Sequence, residues 1–281
     1  MAEQLDFMAR SGVYVLEAFV LLWIAKIAYT GIYRRVSLKH EIFERSNSAM
    51  AVATSGYIFG IVIALGGVLH GDSTGWQSDL TAIALNGVVT VVMMLVASFI
   101  CEKVLLPHFN NTKEVIEDQN LGTAFVEAGV HIANGLIVLT ILQGSASWEV
   151  QFALWALAQV VLVLSGLFYE WTTRHSIHDE LERDNSAVGL AFGGVLIGMG
   201  NIVSISVGGD FVDWLPALQD FAVNVGFGFV ALFVIKRLTD VLLAPGVKLA
   251  DEQTGENPKV GAGLLEAVGY IGGSMLIVWV F

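Results

Sequence analysis

The chain repeats itself at a constant offset of 138 residues, and this self-similarity limits its possible folds more than any local pattern does. Glu44-Arg45-Ser46-Asn47-Ser48-Ala49 returns as Glu182-Arg183-Asp184-Asn185-Ser186-Ala187. His40 returns as His178, Gly56 and Gly60 as Gly194 and Gly198, and Gly71-Asp72 as Gly209-Asp210. Trp76 becomes Trp214, Asn86 becomes Asn224 and Pro107 becomes Pro245. Internal repeats inside an apolar chain are a mark of membrane transport folds. The repeat predicts two copies of one architecture, residues 1–143 and 144–281.

What surrounds those copies follows from charge and hydropathy. The chain is 55% hydrophobic and 14% charged, where a soluble domain carries roughly 25% charge. Several apolar runs reach about 20 residues, enough to cross a hydrocarbon core of roughly 30 Å as a helix. The short alternating segments of a membrane β-barrel are absent. The expected class is an all-α integral membrane protein with eight transmembrane helices in two parallel four-helix repeats. The spans fall at about 12–34, 47–70, 80–106, 121–143, 148–171, 186–208, 214–243 and 260–281. An even number per half sends both halves into the membrane in the same direction.

Lys and Arg distribution predicts the orientation. Arg34, Arg35, Lys39 and Arg45 flank the loop after the first span; Lys103 and Lys113 belong to the third, and Arg174 and Arg183 to the fifth. Lys236, Arg237, Lys248 and Lys259 mark the end of the seventh span and the loop after it. The three alternate loops hold no basic residue and carry Asp72, Asp79, Asp210 and Asp213. Both termini are therefore expected outside. The acidic start Met1-Ala2-Glu3-Gln4-Leu5-Asp6 lacks the basic region of a cleaved signal peptide, so the first span is expected to be retained. A net charge of −12 argues against nucleic acid as a partner.

A fainter periodicity runs inside each half. Glu117-Asp118-Gln119-Asn120 precedes the fourth span much as Glu44-Arg45-Ser46-Asn47 precedes the second. Asn47, Asn120 and Asn185 read as helix N-caps. Gly56 with Gly60, Gly189 with Gly193, and Gly194 with Gly198 read as close helix contacts.

Ionisable groups inside spans carry the functional interest, since each costs about 2.5 kcal/mol or more without a partner or cavity. Thr123, Glu127, His131 and Asn134 recur at helical spacing in the fourth span. At an offset of 139, Glu127-Ala128 returns as Glu266-Ala267 and Tyr270 stands where His131 stood. Glu127, His131, Asn134, Glu266 and Tyr270 form the candidate ion or proton site; hydrogen bonding between helices is the competing explanation. Asn86 and Asn224 are read as polar packing through interhelical amide bonds. Glu17 and Lys26 cannot pair with each other at nine residues' separation, while Glu102, Glu170 and Asp240 read as groups reaching the interface.

No phosphate loop, nucleophile elbow or His-Glu-x-x-His helix occurs, so neither an enzyme nor a cofactor is expected. His175 and His178 with Asp179 and Glu180 form a ligand-like group that reads better as a solvated loop than as a metal site. Cys101 stands alone, which rules out an intrachain disulfide and reads as a small buried residue.

The pattern Glu-Arg-x-Asn-Ser-Ala, then Gly-x-x-x-Gly and a second span ending in Leu-x-Pro, resembles the bacterial membrane family called domain of unknown function 350. The resemblance covers residues 40–107 and 178–245 best. It implies a small inner-membrane protein of repeated helix pairs, with no agreed biochemical activity and no catalytic residues to carry over. The leading expectation is a small-cation or proton-linked pathway. The alternative is a non-transporting scaffold or stress-response subunit that binds cytoplasmic partners at residues 35–47 and 172–185. Expected partners are the lipid bilayer, a second copy of the chain and a cytoplasmic protein.

Overall fold

The computed structural model describes residues 1–32, 36–70, 73, 75–106, 110, 113–173 and 175–280. Arg34, Arg35, Gly71, Asp72, Pro107 and Arg174, used in the sequence reading, lie outside the described residues. The helices are α1 (Ala2–Ile32), α2 (Ser48–Leu69), α3 (Trp76–Ile100), α4 (Leu121–Gln143) and α5 (Trp148–Thr172), followed by α6 (Ile177–Glu182), α7 (Ser186–Val207), α8 (Trp214–Leu238), α9 (Leu249–Thr254) and α10 (Val260–Val280). No strand occurs among the described residues. Eight of these helices are long and apolar enough to cross a membrane. The first begins well before residue 12, because Asp6 and Arg10 pair at 2.7 Å across one turn and support a polar extension.

Four helices, α2, α4, α7 and α10, lie side by side in that order and form the centre. Small residues allow the approach. A Cβ on Gly129 of α4 would sit 2.6 Å from the Cα of Gly193 in α7, so the two backbones touch. The remaining spans pack outside this layer: α3 against α2 and α4, α5 against α7 and α4, α8 against α7 and α10, and α1 against α2 and α3. Their outward residues, among them Phe19, Trp23, Val88, Val92, Leu164, Leu167, Val230 and Val234, are exposed apolar groups, as suits helices of membrane-crossing length.

At the end where basic residues gather, short helical segments tuck beneath the central layer. They are the π-helical turns His40–Glu44 and Lys113–Glu117, then α6 and α9. Each precedes a central helix, and the first three are tied to it by the same device. Ser46, Gln119 and Asp184 adopt a left-handed φ of 54 to 55°, a turn that lets the next residue cap the helix. Asn47 Oδ1 accepts from the Met50 amide at 2.9 Å, and Asn120 Oδ1 from that of Thr123 at 2.9 Å. Asn185 Oδ1 accepts from Ala187 and Val188 at 3.1 and 3.2 Å. Each asparagine also donates to the carboxylate before it: Glu41 at 3.4 Å, Glu114 at 2.9 Å and Glu180 at 2.6 Å.

The same amide groups join neighbouring units. Asn47 Nδ2 donates to the Val115 carbonyl at 2.9 Å, Asn120 Nδ2 to Leu181 at 2.6 Å and Asn185 Nδ2 to Gln253 at 2.9 Å. Asp184 adds a carboxylate across the junction, accepting from the amides of Leu121 at 2.7 Å and Gly122 at 3.3 Å. The caps read from sequence are thus also the bolts between units. At the fourth unit Lys259 takes the asparagine's place, its backbone N–H donating to the Glu252 carbonyl at 2.9 Å.

Candidate functional site

Glu266 lies on α10 two turns from the basic end and is 1% exposed. Three side chains from other helices converge on it. Gln253 of α9 donates to Oε2 at 2.6 Å, and the Tyr169 hydroxyl of α5 donates to Oε1 at 3.0 Å. Lys236 of α8 places its ammonium nitrogen 3.7 Å from Oε1 and 5.1 Å from the centre of the Tyr169 ring. Aromatic contacts hold that ring: Phe192 stacks on it at 5.7 Å and Tyr270 meets it edge-on at 6.1 Å. Burying a carboxylate this deep without such hydrogen-bond and charge partners would be costly. His175, in the segment between α5 and α6, is half-buried, and burial pushes its pKa below the usual imidazole value.

The first half builds the corresponding place differently. Glu127 on α4 is 2% exposed and His131, one turn further, is fully buried. His131 meets Tyr57 of α2 and Tyr29 of α1 edge-on at 5.1 and 5.7 Å, as Tyr270 meets Tyr169 in the second half. Tyr29 and Tyr57 stack at 4.2 Å. Ser98 of α3, the repeat counterpart of Lys236, donates to the Met94 carbonyl at 3.0 Å and lies 3.4 Å from His131 Nε2. On α2, α3 and α4 of this half, Thr54 Oγ1, Tyr57 Oη, Thr90 Oγ1, Thr123 Oγ1 and His131 Nδ1 are buried with no hydrogen-bond partner among the described residues.

The structure does not keep the other sequence candidates together. Asn134 turns away from His131. Its Oδ1 accepts from Gln159 Nε2 at 2.7 Å and from Trp155 Nε1 at 3.2 Å, both on α5, which makes it a junction between helices. Asn86 donates at 2.8 Å to the Ala82 carbonyl of its own helix, so the interhelical bond expected of it is not the one formed. Asn224 faces a cavity of about 310 Å³ at the acidic end, lined also by Gln151, Ser206, Asp210, Asp213 and Asp220. Lys26 is exposed on the outer face of α1. His178 Nδ1 is 3.1 Å from Glu170, and no metal-binding group occurs among the described residues. Tyr169, Lys236 and Gln253 are the site members that sequence reasoning missed. The available signal was Lys236, a lysine well inside the end of an apolar span.

Eight lipid-length helices in two like halves, each with a carboxylate buried in its last span, define a polytopic α-helical membrane protein built by duplication. The chain belongs to the family described as Domain of Unknown Function (DUF350), whose model matches residues 4–142 and again 144–281. Neither a curated protein nor a solved structure matches it.

Proposed function

We propose that this protein is a non-enzymatic membrane pathway for protons or a small cation, centred on the carboxylates of α4 and α10. One observation carries the reading. Glu127 and Glu266 hold equivalent positions in the two halves, both inside apolar spans and both 2% exposed or less. Intramembrane carboxylates are retained where they serve an ion or proton path or fix a bundle. Partners such as Lys236 and Gln253 come from elements near the basic end, where protons would be exchanged with water. The charge asymmetry of the loops supports a bacterial inner-membrane setting with the basic end cytoplasmic and both termini outside.

A second reading rests on a cleft of about 640 Å³ at the basic end, lined by Arg183, Asp184, Ser186, Glu256 and Pro258 among others. This cleft adjoins residues 172–185 and supports a scaffold that binds a cytoplasmic protein. Reconstitution into proteoliposomes separates the two. Under an imposed pH gradient, and with a series of monovalent cations, the pathway reading expects protein-dependent flux. The scaffold reading expects none.

A further inference from the structure

At the acidic end the first half holds a cation of its own. Arg10 Nε donates to Asp6 at 2.7 Å and Nη1 to Ser73 Oγ at 3.4 Å, and the guanidinium sits 5.4 Å from the centre of the Trp76 ring. Beside it, the Ser73 and Tyr14 hydroxyls donate to Asp79 at 2.5 and 2.6 Å. At the offset of 138 residues Asp6 becomes Gly144, Arg10 becomes Trp148, Ser73 becomes Phe211 and Asp79 becomes Ala217, while Trp76 is kept as Trp214. Gly144, Phe211 and Ala217 all line the cavity of about 310 Å³ at the acidic end. The cavity therefore stands where the first half seats its guanidinium.

The second half surrounds that place with acceptors. Asp213, Asp220, Gln151 and Ser206 line the cavity, and their counterparts Gly75, Ala82, Val13 and Val68 carry no polar side chain. Gln151 Nε2 is engaged with the Ala146 carbonyl at 3.1 Å. Its Oε1 is left buried with no hydrogen-bond partner among the described residues, as is Ser206 Oγ, and buried polar atoms are ordinarily satisfied. Two carboxylates each make one bond within the fold: Asp210 accepts from the Ser145 hydroxyl at 2.6 Å and Asp213 from the Trp214 amide at 2.7 Å. A carboxylate accepts at about four positions, so both keep capacity toward the cavity. Among the described residues, no lysine or arginine lines it.

We propose that this cavity binds a small organic cation with N–H donors, a guanidinium or a primary ammonium. Its carboxylates repel an anion, and a neutral apolar molecule would bury them without partners. A metal ion fits less well, because no group of three His, Cys, Asp or Glu side chains among the described residues comes close enough to hold one. The acceptors are spread instead over α5 (Gln151), α7 (Ser206), the connection after it (Asp210 and Asp213) and α8 (Asp220). Spaced acceptors suit a cation whose several N–H bonds point to different walls. Phe211 supplies an aromatic wall, with Trp214 meeting its ring edge-on at 5.1 Å, a surface to which a cation is drawn. The volume lies at the lower end of the range for small-molecule pockets, about 300–1,000 Å³. The site is separate from the carboxylates of α4 and α10 and stands whether or not those conduct.

Isothermal titration of the detergent-solubilised full chain tests this, with methylguanidinium and ethylammonium as probes. Sodium chloride at about 0.15 M screens long-range attraction, since the screening length is then about 8 Å. Both probes should bind saturably. Tetramethylammonium has the same charge but no N–H, and should bind about tenfold more weakly or worse. Asp213→Asn and Asp220→Asn should each weaken methylguanidinium binding by about tenfold or more, the usual contribution of a hydrogen bond to a charged group. Asparagine at 213 keeps an acceptor for the Trp214 amide, and Asp220→Asn stands as the test if that variant fails to fold. Absence of saturable binding overturns the proposal and leaves the cavity to water. Equal binding of tetramethylammonium and methylguanidinium, or unchanged affinity in the folded aspartate variants, overturns it as well.

Discussion

Asn120 donates its side-chain amide to the carbonyl oxygen of Leu181 at 2.6 Å, across 61 residues of sequence. The same side chain caps α4 through the Thr123 amide. One residue therefore starts a central helix and fastens it to the segment beneath the next. Because Asn47 and Asn185 do likewise, the order of the central layer is set by a repeated polar contact at the basic end, with glycine-mediated backbone contact above it.

Replacing Asn120 separates the two roles. Asn120→Ala should lose the cap, about 1 kcal/mol, and also leave the buried Leu181 carbonyl without its donor, about 1–3 kcal/mol more. Asn120→Asp keeps an acceptor for Thr123 but loses the donor and sets a second carboxylate beside Glu114. Both should melt earlier in detergent than the unaltered protein. An Asp variant as stable as Asn would deny the inter-unit bond its role.

The backbone contact between α4 and α7 should be intolerant of any side chain. A Cβ on Gly193 would stand 2.6 Å from the Phe125 carbonyl oxygen, an atom of the main chain that cannot swing aside. Gly193→Ala should therefore destabilise by about 1–3 kcal/mol, the usual penalty of overpacking. Gly226, with open space where its Cβ would point, should accept alanine without loss. Thermal unfolding followed by circular dichroism compares the two.

The Lys236–Glu266 pair gives a cycle. Lys236→Met leaves the buried Glu266 carboxyl without its cationic partner, and should cost near the lower end of about 3–5 kcal/mol, since the lysine side chain keeps 18% exposure. Adding Glu266→Gln removes the carboxyl left without that partner and should recover part of the loss. Additive effects in the double variant would mean that the two groups do not interact.

How much of this was legible in the sequence depends on the length of the signal. Spans of about 20 apolar residues announce themselves, and the offset of 138 residues carried the two-fold organisation. Segments such as His40–Glu44 and α9 were read as loops because five or six residues are too few to show a period. Asn47 and its relatives were legible as caps, yet their second bond was not, because a local motif says nothing of what lies across a junction. Asn134 departed from His131 for a geometric reason: three residues along an α-helix turn it roughly 60° from the starting face, enough to meet α5. Lys236 and Glu266 lie 30 residues apart on different helices, and only packing joins them.

Orientation can be checked with single cysteines at exposed positions. Ser73→Cys should react with a membrane-impermeant maleimide in intact cells, and Gly255→Cys only after lysis. Cys101, 1% exposed, should remain unmodified in the folded protein and need not be removed. The reverse labelling pattern would place the basic end outside and move the proposed site to the opposite surface.

The central claim is that the buried carboxylates of α4 and α10 serve a path for protons or a small cation, and Glu127→Gln tests it most directly. Glutamine keeps the size and a carbonyl acceptor but cannot ionise, so packing around α4 should persist and the melting temperature should change little. Proton or cation flux into proteoliposomes should be lost. A Glu127→Gln protein that folds normally and conducts as the unaltered chain does would contradict the account.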